Sequence, residues 1–181
     1  HEDKENLSSV GKASPFTDIQ IFDDRGKLVT PGEEGEICVK GEHVTNGYLN
    51  IPKEEAFFGD YFRTGDWGHL TDEDYVYLAS RKKDLINVGG KKVSPDEVEM
   101  QIMKVTGVAD CACIATPDPE GYLGDVVKAF IVKEEGSLID FETIRRQIEP
   151  QLEYYKLPVV WEWISEIPKT QNGKTRRNLL S

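Results

Sequence analysis

Two hydrophobic patterns divide the chain near residue 82. Between Asp18 and Leu78, short runs of alternating apolar and polar residues are separated by Gly, Pro, Asn and Asp, which is typical of β-strands joined by turns. Beyond residue 83, apolar residues also recur at helical spacing and in longer unbroken runs. The pattern predicts an α+β fold, with a β-rich N-terminal subdomain over residues 1–82 and a small α+β domain over residues 83–181 that has a short sheet and packed helices.

The first part is predicted to be mostly strands and turns, after a loose lead-in over residues 1–15. The segment Arg63–Asp66 is predicted to be a polar tight turn between aromatic residues. Strands are predicted at Asp18–Phe22, Glu36–Lys40, Gly68–Leu70 and Tyr75–Leu78, with a short helical turn at Lys53–Phe58.

The second part contains a helix start that the sequence marks clearly. Ser94 suits the N-cap position, Pro95 suits the first helical position, and Glu97 completes a capping box three residues after Ser94. The apolar face of this helix is predicted to carry Val98, Ile102 and Val105, with Gly107 ending the helix. The remaining predicted elements are a buried strand at Val108–Ala115, a strand at Val126–Lys133, a helix at Phe141–Glu149 capped by Asp140, and a strand at Val159–Trp163.

Composition excludes several classes of function. The formal net charge is −11, so the surface repels phosphate backbones and nucleic acid is not expected as a partner. No apolar run approaches the roughly 20 residues of a transmembrane helix, and the polar start of the chain is unlike a signal peptide. Cys38, Cys111 and Cys113 offer no disulfide framework, which favours a reducing, cytoplasmic location. The three histidines are far apart, so no metal ligand is predicted.

Three short segments contain residues suited to binding anions or sugars. Asp66 could accept two hydrogen bonds from a vicinal diol, although an ordinary polar turn also explains it. The pair Gly89-Gly90 allows close approach of a ligand, but it could equally be a simple hairpin turn. Lys174 follows Gly173, but Pro168 occupies the position where a phosphate-binding loop needs its first glycine. Lys174 is therefore a loop lysine that is either solvated or a mobile charge for a phosphate or carboxylate.

The combination of these segments is more specific than any one of them. The stretches FRTGDWG, RKKDLINVGGKKVSPDEVE and PKTQNGKTRR, in this order, resemble the C-terminal third of the adenylate-forming family. That family includes acyl-CoA synthetases, adenylation domains of peptide synthetases and luciferases. The resemblance runs from about Asp18 to the end of the chain, and DLINVGGKKVSPDEVE is more similar to the acyl-CoA synthetase branch, including fatty-acid–CoA ligases.

The resemblance implies which residues would contact the nucleotide. Asp66 would bind the ribose hydroxyls of ATP and of the acyl-adenylate, and Arg81 would support the same ribose. Lys92 matches a basic position near the nucleotide phosphate.

The resemblance also implies that the C-terminal domain moves between two half-reactions. Lys83 would be the hinge, and Lys174 would enter the site for adenylation, where it bridges the acyl carboxylate and the α-phosphate. Gly89 and Gly90 would lie along the pantetheine arm of coenzyme A in the thioester-forming arrangement.

The substrates implied are a carboxylic acid, expected to be a fatty acid, together with ATP and coenzyme A. The family's phosphate loop, acyl pocket and acidic residue for Mg²⁺ do not occur in these 181 residues, so an upstream N-terminal domain is expected and the fragment alone is expected to be inactive. Two alternatives stay open: an adenylation domain that loads a carrier protein, and a binding module without catalysis. Ser80, where many relatives have glycine, is a minor departure.

Overall fold

The structure, a computed structural model, describes residues 9–181, so the first eight residues of the predicted lead-in lie outside the described residues. The chain forms two compact units, the first ending at Lys83 and the second comprising Asp84–Ser181. The predicted boundary lies one residue earlier, between residues 82 and 83. Within the described residues, every helix is too short and too polar to cross a membrane.

The secondary structure is mixed α+β and rich in strands. The strands are β1 (Thr17–Phe22), β2 (Gly35–Gly41), β3 (Phe57–Phe58), β4 (Tyr61–Leu70), β5 (Val76–Arg81), β6 (Ile86–Val88), β7 (Lys91–Val93), β8 (Val108–Pro117), β9 (Asp125–Lys133) and β10 (Val160–Trp163). The α-helices are α1 (Lys53–Ala56), α2 (Pro95–Ile102) and α3 (Phe141–Ile148). Short 3₁₀ turns occur at Lys82–Asp84, Glu149–Gln151, Tyr154–Lys156 and Arg177–Leu179.

The first unit is built on one antiparallel sheet. Its strands follow the order β1-β2-β4-β3, and β5 pairs with β4. A small apolar cluster of Ile21, Ile37 and Val76 holds the sheet together. The sheet matters for the site because its long strand β4 carries Asp66, and β5 ends at Arg81.

The second unit has a three-stranded sheet with its two faces covered differently. Strand β9 lies in the middle, antiparallel to β8 and parallel to β10. One face packs against helices α2 and α3, and the other face packs against the C-terminal tail through Ile167 and Leu180. Because β8 is buried on both faces, its sequence is the nearly continuous apolar run that predicted a buried strand.

The structure corrects two local predictions. Arg63–Asp66 is not a tight turn but part of strand β4, which continues from Tyr61 to Leu70. Gly65 misled the prediction because its positive φ of 73° belongs to a bulge in the strand. Helix α2 ends at Ile102, before Val105, although Val105 is buried in the same core as predicted.

Candidate functional site

Asp66 and Arg81 are neighbours in the first unit. The two residues are paired across strands β4 and β5, and Arg81 Nε lies 2.8 Å from Asp66 Oδ1. The Asp66 side chain is 27% exposed, so the carboxylate keeps an accessible face for a ligand. The structure thus brings together the two residues that the family resemblance assigns to one ribose.

A bulge in β4 sets the position of Asp66. Ile37 of β2 lies opposite three residues of β4, because the pairing shifts between Glu36 and Cys38. Thr64 stabilises the bulge: its hydroxyl donates to the carbonyl of Ile37 at 2.7 Å and accepts from the backbone N–H of Asp66 at 3.0 Å. Sequence reasoning missed this role, since the bulge depends on pairing with a strand 27 residues away.

A buried charge cluster lies beside this strand pair, and no local pattern in the sequence indicates it. Glu36 is only 2% exposed and accepts hydrogen bonds from Arg63 Nη2 at 2.9 Å and from Lys82 Nζ at 2.8 Å. Burial disfavours the Lys82 ammonium, but hydrogen bonds to Asp24 and Glu36 outweigh this, so the pKa of Lys82 is raised. This cluster ties the residue just before Lys83 to the sheet of the first unit.

Lys83, the predicted hinge, lies in the 3₁₀ turn Lys82–Asp84, where its side chain is exposed. The turn follows β5 directly, and it contains the residue at which the first unit ends. The hinge role of Lys83 stays a prediction.

Gly89 and Gly90 form the two-residue turn between β6 and β7. Their φ angles are +56° and +88°, and left-handed values at both positions are the pattern of the tightest hairpin turns. Both glycines are exposed. Gly89 also lines a cavity of about 390 Å³ together with Leu123 and Tyr155. The turn therefore offers bare backbone at the rim of a partly apolar cavity.

Lys92 lies in β7, paired with Asn87 across the hairpin, and its side chain is half-buried. Its neighbour Lys91 points over the ring of Tyr155, with Nζ 4.1 Å from the ring centre. The two lysines beside the glycine turn are therefore in different environments, with Lys91 placed by an aromatic ring.

Lys174 lies in a tight loop that closes on itself. Thr170 donates its backbone N–H to the carbonyl of Lys174 at 2.8 Å, and its hydroxyl accepts from the backbone N–H of Lys174 at 3.1 Å. Lys169 and Thr175 form a bridge across the base of the loop. These contacts use the backbone of Lys174, and its side chain is exposed. The loop, which we call the lysine loop (residues 169–175), is closed by these backbone contacts.

Arg177 clamps the tail that carries the lysine loop, and sequence reasoning missed it. Its Nη2 donates to Glu99 Oε1 at 2.8 Å and to Asp96 Oδ1 at 2.6 Å, and its Nε donates to the carbonyl of Cys113 at 3.2 Å. Glu99 in turn accepts from the backbone N–H of Cys113 at 2.7 Å. One ion pair thereby satisfies both the backbone N–H and the carbonyl of Cys113 in the edge strand β8.

The ion pair of Arg177 and Glu99 is largely withdrawn from solvent, with side chains 17% and 15% exposed. Burial disfavours the carboxylate and raises the pKa of Glu99, while Arg177 opposes that effect. No local sequence signal could reveal this pairing, because the two residues are 78 positions apart.

The three cysteines are free and buried. Burial raises the pKa of Cys38 to about 12, and it also raises the pKa of Cys111 and Cys113. Thiols held in this protonated state are poor nucleophiles, so the cysteines have no part in the chemistry considered below.

Among residues 9–181, no group of three or more His, Cys, Asp or Glu side chains is arranged to hold a metal ion.

Two family profiles match the sequence. The profile of the AMP-binding enzyme C-terminal domain matches residues 97–174, and that of the AMP-binding enzyme matches residues 1–49.

Curated relatives match almost the entire chain. A long-chain-fatty-acid–CoA ligase of Bacillus subtilis (strain 168) is 38% identical over 181 residues, which is 98% of this chain and 32% of the relative. A feruloyl-CoA synthase of Amycolatopsis sp is 36% identical, over 94% of this chain and 35% of the relative. An oxalate–CoA ligase of Saccharomyces cerevisiae is 34% identical, over 98% of this chain and 33% of the relative. The chain thus spans about a third of the length of these relatives.

Solved structures show the same fold. The o-succinylbenzoate CoA synthetase MenE of Bacillus subtilis, in complex with its acyl-adenylate intermediate, superposes with a TM-score of 0.85 and 30% identity, over 99% of this chain and 36% of that chain. ATP-bound MatB of Rhodopseudomonas palustris gives a TM-score of 0.83 and 32% identity, over 96% of this chain and 35% of that chain. The ordered motifs, the two profiles and these relatives lead to one conclusion. The chain belongs to the AMP-binding enzyme family and matches its C-terminal portion, and its relatives are acyl-CoA ligases.

Proposed function

We propose that this chain is the C-terminal portion of an ATP-dependent acyl-CoA ligase. In the first half-reaction, a carboxylate oxygen attacks the α-phosphorus of ATP, which forms acyl-AMP and releases pyrophosphate. In the second, the thiol of coenzyme A loses its proton and attacks the acyl carbon, which forms acyl-CoA and releases AMP. The relatives named as CoA ligases or synthases support this reaction class.

The proposal rests on which unit carries each candidate residue and on how exposed that residue is. Lys174 and the Gly89–Gly90 turn both lie on the second unit, each at an exposed tight turn, while Asp66 and Arg81 form a pair on the first unit. One unit thereby offers a cation suited to adenylation and bare backbone suited to a thiol-bearing arm. We propose Lys83 as the hinge about which the second unit presents one or the other.

Lys174 has the chemistry that the first half-reaction requires. Adenylation brings together two anions, the acyl carboxylate and the triphosphate. A positioned ammonium reduces their repulsion and stabilises the charge that develops at the α-phosphate. The exposed Lys174 side chain on a loop fixed through its backbone is suited to this role.

Asp66 and Arg81 are proposed to hold the ribose, and Lys92 to lie near the nucleotide phosphate. Asp66 offers acceptor oxygens to two vicinal hydroxyls. The Arg81 guanidinium beside it reduces the electrostatic repulsion between this carboxylate and the polyphosphate.

Mg²⁺ would accompany ATP and neutralise phosphate charge. The described residues provide no cluster to hold it, so no step is assigned to the metal here.

In the second half-reaction, Gly89 and Gly90 are proposed to line the path of the coenzyme A arm. Their lack of side chains lets an extended pantetheine chain approach the backbone.

We propose a fatty acid as the carboxylic substrate, on the basis of the long-chain-fatty-acid–CoA ligase relative. We also propose a cytoplasmic location, on the basis of the free cysteines.

The test is Lys174→Ala in the full-length protein, with each half-reaction measured separately. Adenylation is followed by pyrophosphate release with palmitate, ferulate or oxalate, and thioester formation is followed from the corresponding prepared acyl-adenylate and coenzyme A. We expect adenylation to fall about a hundredfold or more, because one charge-stabilising group is removed, while thioester formation stays near the wild-type rate. Arg176→Ala, which removes a neighbouring exposed cation, should preserve both.

Equal loss of both half-reactions in Lys174→Ala would refute the assignment of Lys174. Transfer to a phosphopantetheinylated carrier protein but not to coenzyme A would favour the carrier-loading alternative. We also propose that the 181 residues alone do not adenylate. Pyrophosphate release by this chain with ATP, Mg²⁺ and palmitate would overturn that part.

A further inference from the structure

The loop between β8 and β9 is shaped by one carboxylate. Asp118 accepts backbone hydrogen bonds from Glu120 at 3.1 Å, from Tyr122 at 2.9 Å and from Leu123 at 3.0 Å. Its own backbone N–H donates to the carbonyl of Gly124 at 2.8 Å, which closes the loop. These backbone donors lower the pKa of Asp118, so the carboxylate is charged at neutral pH. We call residues 118–124 the aspartate loop.

The aspartate loop lies directly on the glycine turn. Leu123 accepts the backbone N–H of Gly89 at 3.0 Å, and Gly124 forms a bridge with Val88. The Leu123 side chain also fills the space beside Gly89, since a Cβ placed on that glycine would lie 3.1 Å from Leu123 Cδ2. The turn is thus held by main-chain bonds from a second loop as well as by its own hairpin.

This contact uses a backbone donor that the hairpin itself leaves unused. In a two-residue turn, the flanking residues Val88 and Lys91 close the ladder, which leaves the N–H of the first turn residue pointing away from it. The carbonyl of Leu123 accepts this donor. The direction of this carbonyl depends on the shape that Asp118 gives to the loop.

We propose that Asp118 is a positioning residue for the second half-reaction. It acts through Leu123, whose backbone fixes the glycine turn and whose side chain shares the 390 Å³ cavity with Gly89. In this role Asp118 would touch neither substrate nor reacting atom. The inference rests on the proposed function, because it assumes that the glycine turn serves thioester formation.

The experiment compares Asp118→Ala with Asp140→Ala in the full-length protein. Asp140 is a matched control because it caps α3 by accepting the backbone N–H of Thr143 at 2.8 Å, and its pKa is also lowered by contacts with Thr143. We expect Asp118→Ala to lower the rate of thioester formation from supplied palmitoyl-adenylate about ten- to a hundredfold, as displaced active-site groups do, with adenylation within about twofold. Asp140→Ala should reduce thermal stability but leave the ratio of the two half-reactions unchanged. Asp118→Asn, which keeps one acceptor oxygen, should recover part of the lost rate.

Two outcomes would overturn the proposal: a parallel loss of both half-reactions in Asp118→Ala, or an unchanged thioester rate. Lys174→Ala, measured in the same assays, distinguishes a failure of the Asp118 proposal from a failure of the proposed function. If Lys174→Ala splits the half-reactions and Asp118→Ala does not, only the role of Asp118 fails. If Lys174→Ala lowers both half-reactions equally, the part of the proposed function that assigns Lys174 to adenylation fails.

A measurement independent of activity covers the case in which Asp118→Ala does not fold. Hydrogen exchange should show the Gly89 amide protected in the wild-type protein and less protected in the milder Asp118→Asn variant, while amides of β9 stay unchanged. An unprotected Gly89 amide in the wild type would show that the hydrogen bond from Gly89 to the carbonyl of Leu123 is absent in solution.

Discussion

The glycine turn and the lysine loop belong to the same unit, yet they are held in different ways. The glycine turn is braced by the backbone of another loop, through the bond from Gly89 to Leu123. The lysine loop is closed by its own residues, and the tail that carries it is anchored by the charged contacts of Arg177. Backbone hydrogen bonds to a neighbouring loop fix one turn, whereas the ion pairs of Arg177 with Asp96 and Glu99 and the ion pair of Lys169 with Asp110 fix the other.

This difference suggests how each loop responds to change. A backbone brace is insensitive to most side-chain substitutions, except at the residue that shapes the bracing loop. An ion pair depends on two side chains, and removing one of them leaves the other charge partly buried without its partner. The lysine loop should therefore be the more fragile of the two.

The largest effect is expected from Arg177→Ala. The substitution leaves Glu99 buried without its cation and leaves the carbonyl of Cys113 at the sheet edge unsatisfied. We expect a loss of about 3 kcal/mol in the free energy of unfolding, measured by urea denaturation, because breaking a buried pair exposes the full desolvation cost of the remaining ion. Adenylation should fall more than thioester formation, since the anchor of the lysine loop is lost.

Arg176→Ala provides the matched control, because the adjacent arginine has an exposed side chain. It should stay within about 0.5 kcal/mol of the wild type, as surface substitutions usually do. Equal stabilities of the Arg176 and Arg177 variants would show that the clamp contributes nothing and that the contrast between the two loops is wrong.

A smaller effect is expected from alanine at one glycine of each loop. Gly90 and Gly173 have similar φ angles of +88° and +78°, and a Cβ at either would have no atom within 4 Å. Each substitution should therefore cost only the left-handed strain, about 1–2 kcal/mol, with similar decreases in thermal stability. We expect Gly90→Ala to slow thioester formation and Gly173→Ala to slow adenylation, each about tenfold.

This pair of variants tests directly whether the two loops serve separate half-reactions, because the backbone perturbation is the same in both. If both substitutions slowed the same half-reaction, the two loops would not serve separate steps. Gly89→Ala should be more severe than Gly90→Ala, since its Cβ would also meet Leu123.

Local signals in the sequence predicted the elements that depend on neighbouring residues. Ser94 and Asp140 begin helices α2 and α3, and both side chains accept the backbone N–H three residues later, from Glu97 and Thr143. The apolar run that forms β8 also predicted that this strand is buried on two faces. In each case the spacing along the chain carries the physical cause.

Features that depend on distant residues could not be predicted in this way. The bulge at Gly65 exists because β4 pairs out of step with β2, and the charges around Glu36 come from residues 27 and 46 positions away. Sequence patterns along one element do not record which strand or loop will lie against it. The same reason hid Arg177 and Asp118, whereas Lys174 and the glycine pair lie in continuous motifs and could be proposed from the sequence.

The smallest effect is expected from Thr170→Val, which removes the hydroxyl that accepts the backbone N–H of Lys174. The bond is exposed, and the backbone bonds from Thr170 to Lys174 and from Gly173 to Thr170 remain, so the loop should stay closed. We expect adenylation to fall about two- to fivefold, in line with the modest net contribution of one hydrogen bond, with no change in thioester formation. Thr175→Val, a change of the same size at the base of the loop, serves as the control and should leave adenylation unchanged. A loss in Thr170→Val as large as that in Arg177→Ala would mean that the hydroxyl, and not the anchored tail, determines where Lys174 lies.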